Sequence, residues 1–389
     1  MKRKSVDIPL AIVVTFLLMS GMIMVFSASS MIAEFNLKKD MFFFFKKQLL
    51  WGVISVFFMV GFSKIDYRHL KRHGLPLTLA VLSIVLLAGL FVVGIKSHGA
   101  RRWYHLFFFR FQPSEFAKIG LIIYTAYYLS TREARLKNLK KGLLPLLSIL
   151  ALAAVLIMAQ PDLSTTLMIL LITGLMIFLS PVPARYLWGF VLSMVPVLIF
   201  VLARSSYQWG RVVGWWAAIH NPADAAYQVR QSLIGIGRGG LLGKGLGQSV
   251  QKFLFLPDSH TDFIFSILGE EFGFVGTSFI LMMFLFIFYR GMRIARHTHD
   301  KFGRYLAVGI TLNITLYAFI NAGVASALLP TTGLPMPFFS YGGSNLIFLA
   351  IATGVLLNIS RQAGTDLDVL LDKSSVRKTN INQIIVTAE

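Results

Sequence analysis

Ten stretches of the chain are apolar almost without interruption: roughly 8–28, 47–63, 75–95, 113–130, 143–159, 165–180, 186–203, 270–289, 305–326 and 340–358. Runs of about 18 residues or more match the length of helix that crosses a ~30 Å hydrocarbon core. In lipid the backbone must satisfy its own amides, which leaves helices or a closed barrel. Barrel strands would alternate apolar and polar residues, and these runs do not. The pattern predicts an all-α polytopic membrane protein, with about ten transmembrane helices in one bundle over residues 1–358. An even number of crossings puts both ends of that bundle on one side. Segment 204–261, between the seventh and eighth spans, is the only long connection outside the membrane, and loops of that length usually carry function or structure of their own. The polar tail 359–389 is expected to lie in the cytoplasm. The opening "MKRKSVDIPLAIVV" has the outline of a signal peptide; with so many spans following, it is read as a retained first helix.

Composition sharpens this picture. The chain has 389 residues, 56% of them hydrophobic, and holds 37 Lys and Arg against 17 Asp and Glu. There is no cysteine, which excludes disulfides and thiolate metal sites. The charge of +20 is distributed for topology rather than for nucleic acid. The larger share of the basic residues falls in segments assigned to one side, including "MKRK", "KIDYRHLKRHG", "TREARLKNLKKG" and "RGMRIARHTHDKFGR". By the positive-inside rule that side is the cytoplasm, with both termini in it. A second basic set is expected outside: Lys96, Arg101, Arg102, Arg110 and Lys118, then Arg204, Arg211, Arg230, Arg238, Lys244 and Lys252. An anionic ligand or anionic lipid headgroups would each account for it.

Two glycine patterns resemble nucleotide motifs without their context. "GIGRGG" (Gly235, Gly237, Gly240) follows no strand, and "GGLLGKG" has Arg238 and Gly245 where a phosphate loop needs Gly and Ser/Thr. Both are read as flexible backbone in the external loop. The eight histidines form no ligand set, so no metal site is predicted. In "FQPSEFAK", Gln112 precedes Pro113 at the first turn of a helix. Glu115 and Lys118 then share a face at i, i+3 within the membrane, as a structural pin or as part of a site. In "QPDLSTTL", Asp162 either caps the sixth helix or meets substrate. In "LPMPFFSYGGSN", Gly342, Gly343 and Ser344 precede a helix whose free amides would suit a phosphate; a tight packing turn is compatible with this.

The stretch "LPDSHTDFIFSILGEEFG" gathers acid in a basic chain. If Phe272–Tyr289 is the span, Glu270 and Glu271 sit at its outer end, tethering it and favoured by its dipole. Asp262, next to His260 and Thr261, is left alone at a wet–apolar boundary. There its pKa would rise toward the working range of a general base.

Taken in order, "GARRWYHL", "FQPSEFAK", "QPDLSTTL", "HTDFIFSILGEEFG" and "LPMPFFSYGGSN" resemble the motifs of the SEDS family (shape, elongation, division and sporulation) from about Val25 to Asn358. "GLGQSVQKFLFLPDSHTD" is more similar to the division branch (FtsW and its sporulation relative SpoVE) than to the elongation branch (RodA). Ser164, Asp258 and Asn345 depart from the usual pattern, and none of these departures changes the residue at position 262. The resemblance implies an inverting glycosyltransferase that polymerises lipid II into peptidoglycan at the outer face of the cytoplasmic membrane, at the division septum. It implies Asp262 as the catalytic residue, Arg102 and Trp103 as substrate-binding residues, and Glu115–Lys118 as a buried pair. Arg102, Lys118, Arg238, Lys244 and Lys252 are candidates to hold the departing pyrophosphate, alone or with a divalent cation. Implied partners are lipid II, the undecaprenyl pyrophosphate-linked glycan, a class B penicillin-binding protein and other division or elongation proteins. A lipid II flippase without chemistry is the main rival, an elongation- or sporulation-specific polymerase is a further alternative, and a scaffold for a division partner ranks last.

Overall fold

The computed structural model describes residues 6–97, 100–106, 109–221, 223 and 225–363. Residues of the expected tail beyond 363 lie outside the described residues. Twelve α-helices are described: α1 (Ile8–Met31), α2 (Phe43–Lys64), α3 (Leu75–Val93), α4 (Pro113–Thr131), α5 (Leu144–Met158), α6 (Leu163–Phe178), α7 (Ala184–Arg204), α8 (Ser206–His220), α9 (Tyr227–Gly239), α10 (Ile264–His297), α11 (Lys301–Ala325) and α12 (Gly343–Ala363). Seven helical stretches are long and apolar enough to cross a membrane: α1, α2, α3, α5 with the wide turn before it, α10, α11 and α12. The other three expected spans are helices too. α4 carries the buried charges, α6 is short, and α7 holds Pro196 in its interior.

α11 is the most enclosed of the long helices and forms the axis of the bundle, against which α4, α6 and α10 pack. Small residues permit the closest approaches, as expected where helices associate without a hydrophobic drive. A side chain on Gly21 of α1 would meet the Phe338 carbonyl, and one on Gly291 of α10 would meet Thr311 of α11.

Both described ends of the chain meet. The Asp7 amide donates to Ser360 Oγ (3.1 Å), and Arg290 forms a bidentate ion pair with the Asp7 carboxylate at 2.7–3.1 Å. Residues 7 and 360 therefore lie on one face of the bundle. At the far end of α1, the Ala28 carbonyl accepts from Ser259 Oγ (3.3 Å). Twenty-one residues of helix separate Asp7 from Ala28, about 30 Å at 1.5 Å per residue. The turn that holds Asp262 thus stands on the opposite face.

Three features differ from the sequence expectation. First, a small antiparallel sheet joins α3 to α4, with strands β1 (Ile95–Ser97), β2 (Ala100–Leu106) and β3 (Phe109–Phe111) in the order β1-β2-β3. Trp103 pairs with Ile95, and Tyr104 with Phe111. Second, much of segment 204–261 is helical. Gly235 and Gly237 lie inside α9, whose Gly239 would collide with the Gly269 carbonyl if it bore a side chain. The glycines there serve close packing of α9 on α10, so the expected flexible loop is a packed helix. Third, α10 starts at Ile264 and breaks at Gly273 (φ 64°, ψ −163°). The amides freed by the break go to segment 240–245. Phe274 and Val275 donate to the carbonyls of Gly240 and Leu241 (2.9 and 3.0 Å), while Lys244 and Gly245 donate to those of Glu270 and Glu271 (3.0 and 2.9 Å). Irregular backbone at membrane depth persists because these groups are paired within the protein.

Candidate functional site

The chain preceding α10 wraps tightly. The amides of Thr261, Asp262 and Phe263 all donate to the Asp258 carbonyl (3.1–3.2 Å). Asp258 itself has φ 54°, a left-handed conformation that acidic residues tolerate better than most. This turn delivers Asp262 half-buried, and its carboxylate has no hydrogen bond or ion pair among the described residues. Burial is the main influence on it and pushes its pKa up to about 7. Asp258 and Asp162 push the same way, while Arg211 and Arg102 pull it down. Five charged groups from four regions of the sequence therefore share one electrostatic neighbourhood.

His260 is not a second base. Its ring lies against Phe44 (4.8 Å between centroids) and Tyr341 (5.8 Å), and burial lowers its pKa to about 4 despite Asp258. A neutral imidazole at physiological pH packs there and holds the turn. Thr261 donates its hydroxyl to the Asp258 carbonyl (3.2 Å).

On the sheet side, half-buried Arg102 reaches from β2 to the end of α5, donating to the Gln160 carbonyl (3.2 Å) and to the Pro161 carbonyl. Trp103 beside it is also half-buried. Asp162 caps α6: its carboxylate accepts from the Thr165 amide (3.1 Å), and its carbonyl from Thr166 Oγ1 (2.9 Å). The cap also sets Asp162 near enough to Asp262 to act on its charge. Glu115 and Lys118 form a 2.8 Å ion pair, about 6% and 4% exposed, and the Lys118 ammonium lies 4.1 Å from the centre of the Tyr317 ring of α11. Gln112 precedes α4, and its carbonyl accepts from the Glu115 amide (3.1 Å).

Other expected site residues are placed elsewhere. Glu270 and Glu271 do not cap an outer helix end; they are buried in α10 on the near side of the Gly273 break. Glu270 accepts from Ser249 Oγ (2.5 Å) and the Gln251 amide (3.1 Å), and Glu271 from Ser27 Oγ of α1 (2.5 Å). The span was read as starting at Phe272, whereas the helix begins before it; these carboxylates fasten a folded segment instead of meeting water. Lys252 is buried in the same place, donating to the Gly247 carbonyl (2.5 Å). Arg238 and Lys244 are exposed on α9 and the turn after it. Ser344 is buried and donates to the Arg110 carbonyl (2.8 Å). Gly343 packs on the Trp51 indole, where a Cβ would approach to 2.7 Å, and the Gly342 amide faces Gln48 Oε1 (3.4 Å).

Three contributors escaped notice as individuals. Arg211 was one of several basic residues in segment 204–261; only the course of α8 brings it to Asp262. Gln48 and Asn321 are buried amides inside apolar helices, where a polar side chain is costly unless it has partners. Among the described residues no group of three or more His, Asp or Glu is set to hold a metal ion. Cavities of about 400 and 370 Å³ lie away from Asp262. One is beside Asp7, Arg290 and Arg293; the other is apolar, between α6 and α7.

A helical membrane bundle that holds a half-buried, unpaired acid near two arginines is a recognisable class, and sequence comparison places it. The chain belongs to the FtsW/RodA/SpoVE family of cell cycle proteins, whose pattern matches residues 9–365. It is 38% identical over 360 residues to a probable peptidoglycan glycosyltransferase FtsW of Geobacter metallireducens, covering 92% of this chain and 96% of that one. It is 39% identical over 365 residues to the stage V sporulation protein E of Bacillus subtilis, covering 92% and 98%. Among solved structures, a chain from a peptidoglycan synthase complex that coordinates polymerization and crosslinking matches with TM-score 0.74 at 25% identity, over 92% of this chain and 98% of that one. The rod shape determining protein RodA of Thermus thermophilus matches with TM-score 0.67 at 28% identity, over 92% and 97%.

Proposed function

We propose that this chain is a peptidoglycan glycosyltransferase of cell division that polymerises lipid II, with Asp262 as its general base. The observation that carries the reading is the state of Asp262: an acid whose carboxylate has no partner among the described residues, its pKa pushed up to about 7, with Arg102 and Arg211 near enough to act on its charge. A base is most effective when its pKa lies near the working pH.

In the proposed reaction the 4-hydroxyl of the acceptor GlcNAc attacks the anomeric carbon of the glycan-linked donor. Asp262 takes the hydroxyl proton as the new C–O bond forms. The bond from that carbon to the pyrophosphate breaks, and the electron pair leaves with the undecaprenyl pyrophosphate. Inversion from an α-linked donor to a β-1,4 product needs one base. Glycosidases of the two-carboxylate type need a second acid because their leaving group must be protonated; pyrophosphate need not be. Arg102 and Arg211 supply fixed positive charge where the negative charge develops. Trp103 beside Arg102 is assigned to substrate binding. Lys118 and Lys252, both buried and occupied, support the site rather than contact the substrate. Arg238 and Lys244 are exposed and are assigned as an approach for anionic substrate.

The face carrying Asp262 is assigned to the outside of the cytoplasmic membrane, with residues 7 and 360 toward the cytoplasm. The positive-inside bias supports this. The identity with FtsW-named relatives supports the septum as the place of action, and the similarity to a synthase complex supports a class B penicillin-binding protein as partner. The test is polymerisation of purified lipid II by the reconstituted protein, with and without that partner, against Asp262→Asn. Full-length glycan from the variant would sink the assignment. Lipid transport retained by wild type and variant alike, with no polymer from either, would establish the flippase reading instead.

A further inference from the structure

Three successive carbonyls of the Asp262 turn are held from a distant part of the chain. The His260 carbonyl accepts from the Tyr341 amide (2.9 Å), the Thr261 carbonyl from Ser340 Oγ (2.5 Å), and the Asp262 carbonyl from Asn321 Nδ2 (2.7 Å). Each holder is itself fixed. Ser340 Oγ accepts from the Met336 amide (2.7 Å), and Asn321 Nδ2 also donates to the Leu334 carbonyl (2.8 Å). Both side chains are buried, Ser340 at 3% and Asn321 at 1% exposed. Gly333 lies so close to the acid that a Cβ there would stand 3.4 Å from Asp262 Oδ2.

The amides of the same turn all converge on the Asp258 carbonyl, so the backbone from 260 to 262 is bound on both sides. The Asp262 carboxylate, by contrast, is bound by nothing among the described residues. The hydrogen bonds that fix this residue are therefore all made by its main chain. Asn321 bears a cost for this. Both hydrogens of its amide nitrogen go to carbonyls, and its Oδ1 is buried without a partner, an arrangement that disfavours the folded state. An apolar residue would avoid that cost but would release the Asp262 and Leu334 carbonyls.

We propose that Asn321 and Ser340 are positioning residues for the reaction, clamping the backbone of Thr261 and Asp262 so that the free carboxylate meets the acceptor hydroxyl. The proposal rests on Asp262 being the base. A misplacement of about 1 Å in a reacting group lowers a rate on the order of a hundredfold.

The experiment uses the full-length protein in lipid with its partner and measures kcat and KM for lipid II, per folded molecule, beside thermal unfolding. Ser340→Ala is expected to lower kcat about tenfold and Asn321→Leu about a hundredfold, each with KM for lipid II changed by less than about twofold. A residue that only stabilises the fold would lower Tm or yield and leave kcat per folded molecule unchanged; that result overturns the proposal. If Asn321→Leu does not fold, Ser340→Ala decides alone. Asp262→Asn runs alongside. If it polymerises normally, the general-base reading itself has failed; if it is inactive while both clamp variants turn over normally, only the clamp has.

Discussion

Asp262 and the pair Glu270–Glu271 belong to one short stretch of sequence, and the fold treats them in opposite ways. The glutamates are fully enclosed, and each gives an oxygen to a hydroxyl or amide of another segment: Ser249 and Gln251 for one, Ser27 for the other. Asp262 is less enclosed and gives its carboxylate to nothing, while its main chain is tied down. A buried carboxylate with hydrogen-bond donors is a fastening. One held by its backbone, with its oxygens free, is poised for a proton. The difference teaches that position along a motif says little about role, whereas where the donors point says much.

The comparison can be broken at several places. The largest effect is expected from Asp262→Asn. Polymerisation should fall by about 10² to 10⁴, the range for a lost general base, with no loss of thermal stability. Because the folded pKa of Asp262 is raised, its ionised form disfavours the native state progressively as pH rises from the ordinary carboxylate range to about 7. The Asn variant should therefore gain Tm relative to wild type between pH 6 and 8. A variant that loses Tm would place Asp262 among the fastenings.

Next comes Lys118→Met, which leaves Glu115 charged and alone in the membrane. Breaking such a pair costs about 3–5 kcal/mol, and adding Glu115→Gln should restore part of it. A full thermodynamic cycle by thermal or chemical unfolding checks this, and additive effects would mean that the 2.8 Å pair is not coupled.

Glu270→Ala strands two donors and should cost about 1–3 kcal/mol, with kcat per folded molecule retained. A variant of unchanged stability that no longer polymerises would reverse the assignment of the two acids. The smallest effect is the pH dependence of the wild type. With a base near pKa 7, kcat should fall about tenfold from pH 8 to pH 6. A flat profile over that range would show that proton removal by Asp262 does not limit the rate.

Much of this was legible in the sequence where the physics is local. Apolar run length located the helices, Pro113 marked the start of α4, and i, i+3 spacing paired Glu115 with Lys118. The Pro-Asp step before "LSTTL" announced the Asp162 cap. The free state of Asp262 followed from its lying outside the span. What stayed hidden depends on partners far along the chain. The break at Gly273 is satisfied by residues 240–245, so "EEFGFVG" alone reads as uninterrupted helix. The small sheet forms from residues whose aromatic and basic composition reads equally well as loop. Asn321 becomes meaningful only once residues 262 and 334 are known to flank it.

The hold on the His260, Thr261 and Asp262 carbonyls has a consequence for how the protein is made. A chain being synthesised carries Arg102, Lys118, Arg211 and Asp262 long before it carries Asn321, Ser340 and Tyr341. Until α11 has entered the membrane and the segment after it has folded back, every charged group of the site exists and the geometry does not. Ribosome-bound intermediates should thus be catalytically silent. On the clamp proposal, activity is expected only once the last fifth of the molecule is in place.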